Sequence, residues 1–264
     1  MTRWISLVAL LALLQGCATQ LSVRPETATE DPGNQTQTAV LLFQSNEIAP
    51  AHGDAPLDPE ALQPGDILLT SVPTLVSATI RLMTFAPVSH AAVYVGDGQI
   101  VEAVRSGVRV RAIEQTLEEE SVVLVLRHPE LTAEQAARIK DYAVQKSGSG
   151  FNFLGITLNV PVSVGRRVCE LPLVPAAARD LCLRSMGLIH LVTPSESQLF
   201  CSQLVLQAYQ HADVPITDVD PRLISPADLL HMREGDVSSV RIRRQLHYVG
   251  FLKYEQPVSV ALKQ

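Results

Sequence analysis

Five short runs dense in β-branched and aliphatic residues, each bounded by turn residues, crowd the stretch from Leu62 to Leu126. That spacing commits this part of the chain to a sheet of short strands. Leu62-Gln63-Pro64-Gly65-Asp66 forms a turn that feeds a strand over residues 67–70. Strands over 89–95 and 99–104 follow, joined by Gly96-Asp97-Gly98, and runs at 108–113 and 122–126 complete the set. Residues 72–85 carry helical spacing (Leu75, Ala78, Thr79, Leu82). Thr132 caps a helix reaching residue 146, with Glu134 in its first turn and Gly148 beyond its end. A second patterned helix covers 200–211, and Ser225-Pro226 opens a short third one. Residues 240–243 and 248–254 are late strands, and 160–195, with four prolines, read as an insertion. Mixed elements without regular alternation give an α+β class.

The N-terminus has a different character. Arg3 precedes eleven mostly apolar residues, Trp4 to Leu14, too few to span a bilayer and typical of a signal peptide. Leu14-Gln15-Gly16-Cys17 closes that run and resembles a bacterial lipoprotein lipobox. The resemblance implies cleavage after residue 16, lipid on Cys17 and, with Ala18 next, sorting to the outer membrane facing the periplasm. Residues 17–58 then form the lipidated end and a tether, with 18–38 read as flexible coil and Val40-Leu41-Leu42-Phe43 docking on the domain. A coil of about 20 residues reaches roughly 25 Å, which keeps the domain near the membrane surface. Residues 59–264 remain for one compact domain.

Composition excludes some partners. The formal charge is −6 and only 18% of residues are charged, so no basic face recommends nucleic acid. His52, His128, His190, His211, His231 and His247 are scattered without metal-ligand spacing, so neither a metal nor another cofactor is expected. Arg241, Arg243 and Arg244 form a small basic cluster that reads as a solvated face. In an oxidising compartment Cys169 and Cys182 suit a loop-closing disulfide, worth roughly 3 kcal/mol. Cys201 is left as an unpaired thiol.

Cys201 begins a helix and shares a face with Leu204, Val205, Ala208 and Ala212, so its thiol points inward. A helix N-terminus favours a thiolate, and its N–H groups suit an oxyanion. His90 starts a half-buried strand, and Glu102 stands between apolar neighbours in the next one. With a three-residue loop at 96–98, Val95 pairs with Gln99 and His90 faces Val104. Glu102 then lies on His90's face at a diagonal distance of roughly 7–8 Å. A two-residue Asp97-Gly98 turn would send Glu102 to the opposite face, and the sequence leaves that loop length open. Tyr94 shares the predicted face of His90 and is a candidate cleft-lining residue, as is Ser89. Asp66 reads as a strand-entry residue rather than a catalyst.

Pro64-Gly65-Asp66-Ile67, Ser89-His90-Ala91-Ala92-Val93-Tyr94-Val95-Gly96-Asp97-Gly98 and Val101-Glu102-Ala103 resemble the His-bearing half of NlpC-type papain-like cysteine peptidases. Phe200-Cys201-Ser202-Gln203-Leu204-Val205 resembles their nucleophile helix, and Phe151-Asn152-Phe153-Leu154-Gly155 a segment that precedes it. Because His90 comes 111 residues before Cys201, the order is similar to the circularly permuted branch, the YiiX/YaeF-like amidases. The resemblance implies a papain-like domain with a central antiparallel sheet packed on helices. It also implies Cys201 as nucleophile, His90 as general base and Glu102 as the orienting group. Glu102 stands where the unpermuted enzymes often have His.

Three classes of activity follow. One is an envelope thiol hydrolase acting through a thioester on peptides of the peptidoglycan type. Another is a lipid-directed acyltransferase or esterase using the same pair. The last is a catalytically silent envelope binding module. The expected partners are the membrane, through the N-terminal lipid, and a peptide or acyl substrate of the cell envelope.

Overall fold

The computed structural model describes residues 19–25, 37–44, 56–71, 86–151 and 198–255. In chain order its strands and α-helices are β1 (Thr19–Pro25), β2 (Gln37–Phe43), β3 (Ile67–Ser71), β4 (His90–Gly96), β5 (Gln99–Val104), β6 (Gly107–Ala112), α1 (Ile113–Glu119), β7 (Val122–Arg127), α2 (Ala133–Gln145), β8 (Gly150–Phe151), β9 (Gln198–Leu199), α3 (Cys201–His211), α4 (Pro226–Leu230) and β10 (His247–Tyr254). Six of the strands form one sheet in the order β10-β7-β3-β4-β5-β6, and every neighbouring pair is antiparallel.

The central strands read as unbroken apolar runs because both faces of the sheet are covered. Ile67, Leu69, Ala91, Val93, Leu124 and Leu126 face one way and pack with Leu204, Val205 and Ala208 of α3. Leu68, Ala92, Tyr94, Ile100, Val123 and Val125 face the other way and pack with Leu62 and Ile113. Each Val, Leu or Ile among them, fully withdrawn from water, contributes about 1.5–3 kcal/mol. This is the α+β architecture expected from the sequence, a central antiparallel sheet packed on helices.

Local signals set the ends of the helices. Thr132 Oγ1 accepts the Gln135 N–H while the Gln135 side chain accepts the Thr132 N–H, a reciprocal cap on α2. Ser225 and Asp228 do the same for α4, with Pro226 in its first turn.

Asp66 is buried at the entry to β3. Its carboxylate accepts both Nε and Nη2 of Arg127 at 2.7 Å and the Gln63 N–H at 2.8 Å, which makes it a structural clamp, as expected. Next to it the Tyr209 hydroxyl of α3 donates to the Gly65 carbonyl, tying the helix to the same turn.

Some expectations give way. The strand over 108–113 stops at Ala112, because the Ile113 N–H donates to Gly98 O at 2.8 Å and the following Glu- and Gln-rich run turns helical. Residues 240–243 make one isolated bridge, Ile242 to Thr217, while Thr217 Oγ1 caps the Arg241 carbonyl. The stretch read as coil over 18–38 carries β1 at its start, paired antiparallel with β2. Gln44 then reaches the domain, its Nε2 donating to Val237 O at 3.1 Å. Cys17, Cys169, Cys182, the helix at 72–85 and the insertion at 160–195 lie outside the described residues.

Gly65 has φ +96°, and a Cβ there would stand 2.3 Å from Leu131 Cδ2. The leucine tip can move, but the backbone angle cannot relax. Gly65→Ala should lower the unfolding free energy by about 1–2 kcal/mol in urea titrations with the far-UV spectrum unchanged.

Candidate active site

Phe200, extended at the N-cap of α3, has no side chain able to cap the helix. The first-turn N–H groups are therefore left to other acceptors. Cys201 uses this: the backbone N–H groups of Ser202, within the helix, and of Ala91, in β4, both point at Sγ. The Ser202 hydroxyl turns away and donates to Ile224 O at 2.5 Å, fixing the helix start against the chain before α4. Cys201 is 7% exposed and joins the apolar cluster on the α3 side of the sheet.

His90 is the first residue of β4, and its imidazole stands beside the Cys201 thiol, close enough for each to shift the other's ionisation. On the other side, His90 Nε2 lies 2.7 Å from Glu102 Oε2. Since Nε2 is occupied by the carboxylate, Nδ1 is the nitrogen left for sulfur. The structure thus brings Cys201, His90 and Glu102 together, although they come from α3, β4 and β5.

The route to that geometry corrects the expected hairpin. The loop has two residues, not three: Gly96 pairs with Gln99, and Asp97 and Gly98 both adopt positive φ, as a type I′ turn requires. Alone, this turn would send Glu102 to the wrong face. A β-bulge between Tyr94 and Gly96 restores the register, so that Ala92 pairs with Glu102. One extra residue in β4 offsets the one missing from the loop.

Two further residues hold Glu102. In the β5–β6 ladder Arg109 is directly opposite Glu102, and Arg111, opposite Ile100, lies on the same face. Arg109 Nε and Nη2 reach Glu102 Oε1 at 2.8 and 2.7 Å, and Arg111 Nη1 reaches it at 3.3 Å. Oε1 thus belongs to the guanidiniums and Oε2 to the imidazole. Arg111 also bonds Gln115 O at 2.7 Å and Glu119 Oε2 at 2.8 Å, linking α1 to the site. Sequence reasoning missed both arginines. Their signal was the alternation Val108-Arg109-Val110-Arg111 on a strand whose register with Glu102 was not yet known.

These contacts set the charges. Burial works against ionised Glu102, but His90 and Arg109 overcome it and lower its pKa to about 2. Glu102 therefore contributes stability that is fully present above the ordinary value of 4.5 and is lost as pH falls toward about 2. Burial likewise disfavours the imidazolium, yet Cys201 and Glu102 together raise His90 well above its ordinary value. Burial pushes the Cys201 thiol up; His90, with the N–H groups of Ala91 and Ser202, brings it below the ordinary value. The arrangement favours a thiolate–imidazolium pair.

The remaining candidates are placed differently. Tyr94 packs in the second apolar cluster and its hydroxyl accepts the Gly98 N–H at 3.1 Å, so it anchors the hairpin at the far end of β4 instead of lining a cleft near His90. Ser89 is buried immediately before His90, and its N–H donates to Thr70 O at 2.9 Å. In the basic cluster, Arg243 pairs with Asp218 and Arg244 with Glu130. Among the described residues there is no group of three or more His, Cys, Asp or Glu side chains able to hold a metal ion.

The chain is 32% identical over 244 residues to a protein of Escherichia coli K12 described as "Probable lipoprotein peptidase YaeF", covering 91% of this chain and 89% of that one. It belongs to the YaeF-like family. In chain order the His-bearing strands come first and the Cys-bearing helix last. A crystal structure described as metalloprotein YiiX from Escherichia coli O157:H7 is similar with a TM-score of 0.42 and 17% identity, over 74% of this chain and 98% of that one. No protein-family model matches the chain.

Removing either partner of a buried ion pair leaves the other stranded. Glu102→Gln should therefore cost about 3 kcal/mol of stability. Arg111→Ala, at a residue 5% exposed, should cost about as much, whereas Arg109→Ala, at 47%, should stay within about 1 kcal/mol. Chemical denaturation of the three variants reads this ranking.

Proposed function

We propose that this chain is an envelope-anchored cysteine hydrolase, a peptidase or amidase, with Cys201 as nucleophile, His90 as general base and acid, and Glu102 as the group that orients and charges the imidazole. The single observation carrying this reading is a buried thiol beside an imidazole that a buried carboxylate holds at 2.7 Å from the other side. Its kinship with a protein described as a probable lipoprotein peptidase supports a peptidase-type activity and a lipid anchor. The lipobox at Cys17 supports attachment to the envelope, with Ala18 favouring the outer membrane and a domain facing the periplasm. Stem peptides of the peptidoglycan type are the substrate class at hand there.

The chemistry follows from the charges. The Cys201 thiolate adds to the amide carbonyl carbon, and backbone N–H groups around Cys201 hold the developing oxyanion. The C–N bond breaks as His90 passes its proton to the amine, leaving a thioester on Cys201. His90, now neutral, takes a proton from water; the hydroxide adds to the thioester, and the carboxylic acid leaves as sulfur departs. Glu102 stays ionised throughout and stabilises the imidazolium whenever it forms.

Because the thiol is lowered and the imidazole raised, the reactive pair spans neutral pH and persists as pH falls, until Cys201 itself is protonated. Iodoacetamide should label Cys201 well below the range of an ordinary thiol, and a rate that follows the free-thiol curve would favour the silent binding module. The full chain, solubilised in detergent and incubated with muropeptides, should release cleaved peptides seen by mass spectrometry. Cys201→Ala should lower that rate at least about 10³-fold. Acyl-chain release from phospholipids with no peptide cleavage would replace this reading with a lipid-directed acyl transfer.

A further inference from the structure

Behind His90 lies a second carboxyl that the mechanism above does not use. Glu120 follows the last turn of α1, its N–H donating to Thr116 O at 2.9 Å, just before β7 begins. It is 5% exposed. Among the described residues His90 from β4, Glu102 from β5 and Arg111 from β6 are the charged groups within electrostatic reach of it, and the Thr70 hydroxyl of β3 stands beside it. Thr70 is the register partner of His90 in the β3–β4 ladder, so the carboxyl and the imidazole approach the same point of the sheet from two sides. Neither Glu120 Oε2 nor Thr70 Oγ1 has a hydrogen-bond partner among the described residues.

A buried carboxyl without a dedicated cation is costly and calls for an explanation. Arg111 is the only guanidinium near it among the described residues, and Arg111 is already bonded to Glu102, Glu119 and the Gln115 carbonyl. The end of a helix also disfavours an anion. An apolar residue would fill the position without these penalties. What Glu120 adds is a titratable group within electrostatic reach of the imidazole.

We propose that Glu120 is a positioning residue for the His90–Cys201 pair, acting on the imidazole from the side opposite Glu102. The proposal rests on the thiol-catalyst reading above. Burial raises the Glu120 carboxyl above its ordinary range while the imidazolium pulls it back down, so its ionisation is tied to that of His90. On the acid side Glu120 holds its proton and leaves the pair alone. As pH rises it becomes an anion and favours the imidazolium, which delays loss of the His90 proton and extends the active window upward. Glu102 supplies a fixed charge, and Glu120 a charge that appears when it is needed.

The test uses the full chain in detergent, labelled with [13C]histidine, and follows the His90 ring by NMR as pH is varied. Assignment comes from the signal absent in His90→Ala. Glu120→Gln keeps the shape of the side chain and Glu120→Met keeps its length without polarity, so one reads the effect where the other is poorly folded. In both, the His90 midpoint should fall by at least about half a pH unit, roughly threefold in proton affinity. The acid limb of Cys201 alkylation by iodoacetamide should stay where it is. A wild-type Cys201 reactive well below the ordinary thiol range, together with an unmoved His90 midpoint in both variants, overturns the role of Glu120 alone. Wild-type alkylation confined to the ordinary thiol range overturns the thiol-catalyst reading and this proposal together.

Discussion

Glu102 sits 1% exposed, in a place where a carboxylate left to itself would take up a proton. His90 and Arg109 prevent this, and the two guanidiniums of Arg109 and Arg111 share one oxygen, leaving the other for His90. The charge of the imidazole depends on that division of labour, and the ionisation of the Cys201 thiol depends in turn on the imidazole. The chain of charges runs from Glu119 through Arg111 and Glu102 to His90 and Cys201.

The same economy appears at the helix start. A Ser, Asp or Asn at position 200 would cap α3 and stabilise it by about 1 kcal/mol. Phe200 forgoes that, and the first-turn N–H of Ser202 is directed at sulfur instead. Rigidity comes from elsewhere: the Ser202 hydroxyl on Ile224 O, and the Tyr209 hydroxyl on Gly65 O two turns further on. The helix is held by its flanks so that its tip can serve the thiol.

Much of this was legible from residue types alone. Pro64-Gly65-Asp66, Thr132 and Ser225 announce their turns and caps because the responsible interactions are local. The apolar runs of β3, β4, β5 and β7 announce a covered sheet for the same reason. Cys201, His90 and Glu102 stood out as chemistry-bearing residues in apolar surroundings. The bulge in β4 was not legible, since it reflects how the type I′ turn and two buried faces are reconciled and no residue type encodes that. Arg109 and Arg111 were hidden behind it, because their partner is defined only once register is fixed. Glu120 follows Glu118 and Glu119 in the chain with nothing in residue type to set it apart, and only the end of α1 shows that it turns inward while Glu119 stays exposed. The 240–243 run looked like a strand, but with only a single bridge available it makes no ladder.

One short pairing has a wider consequence. Gly150–Phe151 and Gln198–Leu199 run parallel and side by side, about 5 Å apart across the ladder, so the two ends of the intervening stretch are neighbours. Whatever length of polypeptide joins them, the two doorposts stay fixed by the sheet and by α3. With its two ends held side by side by the ladder, that stretch can be shortened or replaced by a graft while its attachment points stay in place.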